Sequence, residues 1–195
     1  MPRNMKLDDF KARVNKMGGM ARNNLYELDV SFPGTAKMSS LGTNEVRETL
    51  NVFGKAAALP AATMSTIEFY HGGKAFKIPG DRQYEPWTCT FFVDARFETK
   101  NAIVDWIEQN KSFESRVHLN PYDSSAVNSC KDMLISVLNR QGKPVHGIKM
   151  YQAYPTSIQG GDMDYGQNDS IMEITCQFDY QYWTIVNRVE NTIGF

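Results

Sequence analysis

From Ile171 to Ile185 the chain alternates through fifteen residues, with Met172, Ile174, Cys176, Phe178, Tyr180 and Tyr182 on one side. Glu173, Thr175, Gln177, Asp179 and Gln181 take the other. A period of two marks a β-strand with one buried face. At about 3.3 Å per residue this strand is about 50 Å long, beyond the usual range for a small domain. A chain with such a strand must be organised around antiparallel sheet. Leu25 to Phe32 repeats the pattern, placing Tyr26, Leu28, Val30 and Phe32 inward and Glu27, Asp29 and Ser31 outward.

The remaining segments fit between these strands. Leu7 to Met17 reads as a short amphipathic helix with Leu7, Phe10 and Val14 on one stripe, ended by Gly18 and Gly19. Residues 33–48 are rich in Gly, Ser, Thr and charge, and read as a long loop. Thr49 to Ala57 is assigned to a strand ended by Pro60. Two runs between Ser65 and Pro79 form a hairpin around His71-Gly72-Gly73-Lys74, with a further turn at Pro79-Gly80-Asp81. Trp87 to Val93 is a strand. The long helix is placed at Phe97 to Asn110, with Ile103, Trp106 and Ile107 inward and Lys100 and Asp105 toward water. Residues 111–130 are irregular. Met133 to Asn139 and Val145 to Gln152 flank a second hairpin turn, and residues 155–169 read as a loop. Residues 1–195 form one domain, with residues 1–22 as a helical N-terminal segment and residues 187–195 as a tail. The fold class is mainly β, an antiparallel barrel or sandwich with one flanking α-helix. The expected core is Tyr26, Leu28, Val30, Trp87, Ile103, Trp106, Ile107, Phe178 and Tyr180.

The formal net charge is −1, which argues against a protein with an overall basic, nucleic-acid-binding face. The total hides a polarity. Residues 1–22 hold six bases and two acids, whereas residues 150–187 hold five acids and no base. Neither clear strand carries Lys or Arg on its polar face, where Glu27, Asp29, Glu173 and Asp179 stand. A wall of one sign repels a polyanion, which suits a surface along which nucleic acid slides. No run of about 18 apolar residues exists, so no membrane span is expected. Cys89, Cys130 and Cys176 form no C-x-x-C pair and are expected to be free thiols in a reducing cytoplasm.

No catalytic constellation emerges. His71, His118 and His146 are far apart, and neither H-E-x-x-H nor G-x-S-x-G occurs. The sequence implies no enzyme activity and no cofactor. Asp162, Asp164 and Asp169 form a weak candidate metal loop, set against a polar turn in which Asp and Asn bond their own backbone. The ten methionines are assigned mainly to core gaps. Tyr180, Tyr182 and Trp183 are assigned to core or subunit packing rather than to a stacking platform.

Several blocks carry a family resemblance in order: Ala21-Arg22-Asn23-Asn24-Leu25-Tyr26-Glu27-Leu28-Asp29-Val30, then Lys55-Ala56-Ala57-Ala58-Leu59-Pro60-Ala61. Gly80-Asp81-Arg82, Trp87-Thr88-Cys89-Thr90, Val104-Asp105-Trp106, Tyr154-Pro155-Thr156 and the final strand through Asp179-Tyr180 follow. Together they span about residues 7–183. On these blocks the chain resembles the tail tube proteins of contractile-tailed, T4-like bacteriophages.

The resemblance implies hexameric rings whose strands form one inner barrel. Stacked head to tail, such rings make a hollow conduit for genome delivery, located in the virion tail and assembled in the host cytoplasm. Implied partners are further copies of the chain, the tail sheath protein, and baseplate and tail terminator proteins, with viral DNA passing through without specific binding. It makes Glu27, Asp29, Glu173 and Asp179 candidates for the lumen. Arg13, Lys16 and Arg22, with His71, Lys74 and Lys77 of the hairpin, are candidates for contacts between subunits or rings. Within the same fold, the alternatives are a tube-initiating baseplate protein and the tube of a contractile injection or type VI-like system. From a different class, the alternative is a β-sandwich carbohydrate-binding module using Tyr180, Tyr182, Trp183 and the aspartate loop.

Overall fold

A computed structural model of the protein describes residues 6–33, 42–110, 130–161 and 163–186. The element order is α1 (Leu7–Lys16), β1 (Tyr26–Val30), α2 (Thr43–Phe53), β2 (Gly54–Ala57), β3 (Ala62–His71), β4 (Lys74–Tyr84), β5 (Trp87–Phe92), α3 (Glu98–Asn110), β6 (Lys131–Leu138), β7 (Pro144–Gln159), β8 (Glu173–Asp179) and β9 (Tyr182–Val186). Antiparallel ladders run in the order β1-β6-β7-β8-β5-β2, and β9 pairs with β7 beside that path. The β3–β4 hairpin is a separate two-stranded sheet.

The long strand lies elsewhere than the alternation suggests. The Ile171–Ile185 run breaks at Tyr180 and Gln181 into β8 and β9, while β7 runs sixteen residues. Both pieces lie along β7 in one continuous register, since Tyr154 faces Asp179 and Tyr151 faces Tyr182. Gln152 of β7 takes a φ of 53° opposite the break. Such an irregularity lets one strand serve two sheets: β7 pairs β6 and β9 in its first part and β8 in its second. Residues 155–159, expected in a loop, therefore belong to β7. The apolar face of β8 is buried through Ile174, Cys176, Phe178 and Tyr180, but Tyr182 beyond the break is exposed and stacks on Tyr151 at 4.6 Å.

The expected loop at residues 33–48 holds the start of a helix. Val46 and Leu50, one turn apart, are buried, and the backbone N–H of Gly42 donates to the Glu45 carboxylate at 3.1 Å to fix the first turn. Charged residues concealed that stripe, and the strand expected over Thr49–Ala57 is confined to β2. Residues 34–41, 111–129 and 187–195 of the expected loop, insertion and tail lie outside the described residues. Among the described residues α2 joins the two expected helices at α1 and α3, and Asp105 of α3 is buried rather than turned to water. The Pro79-Gly80-Asp81 turn is instead a bulge inside β4. Met64 faces Arg82 while Thr66 faces Pro79, leaving one extra residue on β4.

The core lies between the strands of the main ladder path and helices α2 and α3. Trp87 and Phe178 stand 5.4 Å apart, Trp106 and Phe178 6.0 Å, and Phe32 meets Trp106 edge-on at 5.6 Å. This cluster joins β5, β8, α3 and the segment after β1. Leu28, Val30, Trp87, Ile103, Trp106, Phe178 and Tyr180 are buried as expected, while Tyr26 and Ile107 pack partly buried against them. Met133 and Met150 fill core positions, although Met17, Met20, Met64 and Met163 are exposed. Cys89 and Cys176 are buried directly opposite each other and free. Burial pushes both thiols up, that of Cys176 to about 12, so they behave as small hydrophobes.

Asp94 sets the start of α3. Its carboxylate accepts the backbone N–H groups of Arg96, Glu98 and Thr99 and the Thr99 hydroxyl, at 2.8–3.2 Å. Partial burial pushes its pKa up, but the hydrogen bonds from Thr99 and Glu98 outweigh this and hold it below the usual carboxylate value. The group is more acidic folded than unfolded, so its contribution is complete above the unfolded pKa and disappears as pH falls through the folded one. Asp94→Ala is expected to cost about 1–2 kcal/mol at pH 7. Urea unfolding of the variant and wild type should give midpoints that approach each other as pH falls below the unfolded aspartate value of about 3.9.

Candidate assembly surfaces

The β3–β4 hairpin is an arm. At its tip, Gly72 and Gly73 have φ of 59° and 74°, the pair of positive values that a two-residue hairpin turn requires. On one face Ile67 pairs with Ile78 and Phe69 with Phe76, whose rings stack at 5.4 Å. On the other, Glu68 pairs with Lys77 through a 2.8 Å ion pair. No residue of β3 is buried, and Ile67, Phe69, Phe76 and Ile78 remain 46–53% exposed. A lone two-stranded hairpin is marginal in water, and a continuous apolar face on one calls for a covering surface.

The root of the arm is firmly held. The Tyr180 hydroxyl donates to the carbonyl of Glu85 at 2.8 Å and lies 3.4 Å from that of Ala61, so it touches both ends of the hairpin. Burial pushes its phenol up to about 12. The Arg82 guanidinium lies between Tyr84 and Trp183, 5.0 and 4.8 Å from their ring centres. Tyr180 and Trp183 flank the β8–β9 break, so arm and β9 are positioned by the same few residues.

The four-stranded sheet β1-β6-β7-β9 has an open edge at each end, with no backbone ladder beyond β1 or β9 among the described residues. Each edge strand has five residues. All three ladders are antiparallel, so β1 and β9 run in opposite directions. The outward face of this sheet is mostly polar. By register it carries Glu27 and Asp29 on β1, Asp132, Leu134 and the buried Ser136 on β6, Lys149 and Tyr151 on β7, and Tyr182, Thr184 and Val186 on β9. Lys149 pairs with Asp132 at 2.8 Å and lies 4.7 Å from the centre of the Tyr151 ring.

The structure divides the four acidic candidates. Glu27 and Asp29 lie on β1, whereas Glu173 and Asp179 lie on β8, three strands along the order. About 14 Å of sheet separates the pairs. Strands without bases also do not make a surface without bases. The Arg47 guanidinium holds both carboxylate oxygens of Asp29, at 2.8 and 2.7 Å, and Lys55 reaches Glu173 at 2.5 Å. These cations come from α2 and β2. Sequence reasoning missed Arg47 because its helix was read as a loop; the i, i+4 spacing of Val46 and Leu50 was the available signal.

The basic candidates lie on exposed elements. None of α1 is buried, and Leu7 and Phe10 of its apolar stripe face outward. Asp8 and Asp9 occupy its first turn and Arg13 and Lys16 its last, the order that favours the helix dipole. Arg22 is exposed beyond the helix, His71 and Lys74 are exposed at the arm's tip, and Lys77 is engaged with Glu68. In the aspartate loop, the Asp164 carboxylate accepts the N–H of Gly166 at 2.9 Å, a local turn. Asp169 is exposed and Asp162 lies outside the described residues. Among the described residues no group of three or more His, Cys, Asp or Glu is placed to hold a metal.

These features agree with what the chain is similar to. It is 25% identical over 179 residues to the tail tube protein of Enterobacteria phage T4, covering 90% of this chain and 99% of that one. The tail tube protein of Serratia phage KSP90 is 21% identical over 175 residues, covering 89% and 93%. Among solved structures, the tube-terminating cap of the anti-feeding prophage shares the fold with a TM-score of 0.58 at 21% identity, covering 86% of this chain and 91% of that one. The sheath–tube complex of an extracellular contractile injection system gives 0.57 at 18% identity, covering 90% and 97%. The family model described as phage tail tube protein matches residues 21–186, and the chain belongs to that family.

Proposed function

We propose that copies of this chain close into hexameric rings that stack as the inner tube of a contractile phage tail. The observation that carries this reading is the four-stranded sheet with two open edges of equal length and opposite direction. Placing β9 of one copy beside β1 of the next continues the antiparallel ladder, and only a closed ring removes both edges of this sheet in every copy. The apolar arm then covers, and is covered by, a neighbouring copy. Glu27, Asp29, Asp132 and Lys149 face the channel as a polar wall with its cation already paired, a surface that holds no strong grip on passing DNA. Glu173 and Asp179 occupy a separate wall. The sheath, baseplate and terminator proteins are the expected neighbours of the tube, as the similarity to a sheath–tube complex and to a tube cap supports.

Cryo-electron microscopy of the purified protein at high concentration tests this. Six-fold rings or tubes with the β1-β6-β7-β9 face toward the channel are expected. A monomer at every concentration, or that face turned outward, overturns it.

A further inference from the structure

The open edge of β1 is not equally open along its length. The hydrogen bond from the Leu138 N–H to the Leu25 carbonyl, 2.9 Å, sets the alternation on this strand. The N–H groups of Tyr26, Leu28 and Val30 consequently point away from β6. One of them is taken. The Val30 N–H donates to Oδ1 of Asn51 at 2.8 Å. Asn51 lies on α2 one turn after Arg47, whose grip on Asp29 holds the helix against the same strand. Tyr26 and Leu28, together with Asp29, Arg47 and Asn51 of these two contacts, line a cleft of about 790 Å³ between α2 and β1. Gly54, at the end of α2, keeps that approach tight, since a Cβ there would lie 2.5 Å from Cδ1 of Leu28.

A strand docking on this edge faces a register problem that the side-chain pattern cannot solve. A slip of one residue reverses every face and is excluded by hydrophobicity. A slip of two residues preserves every face, so only the backbone can forbid it, and it displaces the neighbouring copy by about 7 Å. We infer that Asn51 is a register stop: by occupying the Val30 donor, it ends the ladder that a second copy's β9 forms on β1. The inference rests on the ring reading above for the identity of the incoming strand. The occupied donor itself is a property of the single chain. Asn51 thus acts as a specificity-determining residue for self-assembly, and Arg47 as the residue that positions it.

The test compares Asn51→Leu and Asn51→Ala, which remove the acceptor, with Asn51→Asp, which keeps an oxygen there. In the unassembled protein, hydrogen exchange at the Val30 amide should accelerate on the order of tenfold in the first two and stay slow in the third. In assembled samples, Asn51→Leu and Asn51→Ala should give rings or tubes of mixed register, with copies offset along the strand direction, while Asn51→Asp remains uniform. Uniform wild-type assemblies from both acceptor-free variants overturn the inference. If Asn51→Leu fails to fold, Asn51→Ala decides. If the wild type forms no rings at all, the ring reading fails separately. The register stop is then judged by thioflavin-positive aggregation of monomer: faster growth in the acceptor-free variants than in Asn51→Asp supports it, and equal rates overturn it.

Discussion

Replacing Phe69 and Phe76 together by Asp is expected to abolish ring and tube assembly while leaving the isolated chain folded. The two rings touch each other across the arm and lie 46–47% exposed in the single chain, outside the core cluster. Their contribution to the monomer is therefore limited to one cross-strand aromatic pair, about 0.2–1 kcal/mol. Covering their remaining exposed half in an interface is worth about 0.7–1.5 kcal/mol each. Losing both weakens each subunit contact by roughly 10- to 150-fold, and a ring needs every contact at once, so the losses multiply around it. Sedimentation velocity over a concentration series measures the loss, and circular dichroism with thermal melting checks the monomer. A variant that assembles at wild-type concentrations removes the arm from the interface. Loss of the fold itself would instead move these rings into the monomer's own stability.

The largest expected effect on stability is at Trp106. Its side chain is fully buried and meets Phe32 edge-on and Phe178 at a tilt. It is the point where α3 is bolted to both the β1 segment and β8. Trp106→Ala removes the largest inward side chain of the helix and leaves a cavity that three elements cannot close together. The expected cost is about 3–5 kcal/mol. For a domain of this size that lowers Tm by roughly 6–20 °C. Urea unfolding followed by circular dichroism reads it, with an unchanged slope showing that the same structure is being lost. A cost below about 1.5 kcal/mol would show that the helix is held by Ala102 and Ile103 rather than by the aromatic cluster. Because the arm root hangs from Tyr180, two residues beyond Phe178, this variant should also assemble poorly, whereas the arm variant should melt normally.

The contrast between these two variants shows which parts of the molecule were legible along the chain. Trp106, Phe178 and Leu28 announced themselves because a buried stripe repeats at the period of its own element. The arm's turn was legible because two adjacent glycines between strand-like runs meet the demand for positive φ. Helix α2 was not, since Val46 and Leu50 stand among Asn, Arg, Glu and Thr, and the burial that makes them a stripe comes from β1 and α3. The split of the acids was equally hidden: alternation assigns a side chain to a face of its own strand, but not that strand to a wall. Nor does alternation reveal that Asp29 and Glu173 meet Arg47 and Lys55, partners 18 and 118 residues away.

The break at Tyr180 is the clearest case of what each level decides. By itself the sequence determined that most of residues 171–185 is strand, which side of β8 is apolar, and that the chain is built from antiparallel sheet. These follow from the fixed period of a strand, which is a local property of the backbone. Only the tertiary structure decided that the run divides into β8 and β9, that β7 is the strand shared by two sheets, and that β1 and β9 are left as edges. The physical reason is that pairing, curvature and edge exposure arise between segments far apart in the chain. A period of two is the same whether the strand continues straight or bends to join a second sheet.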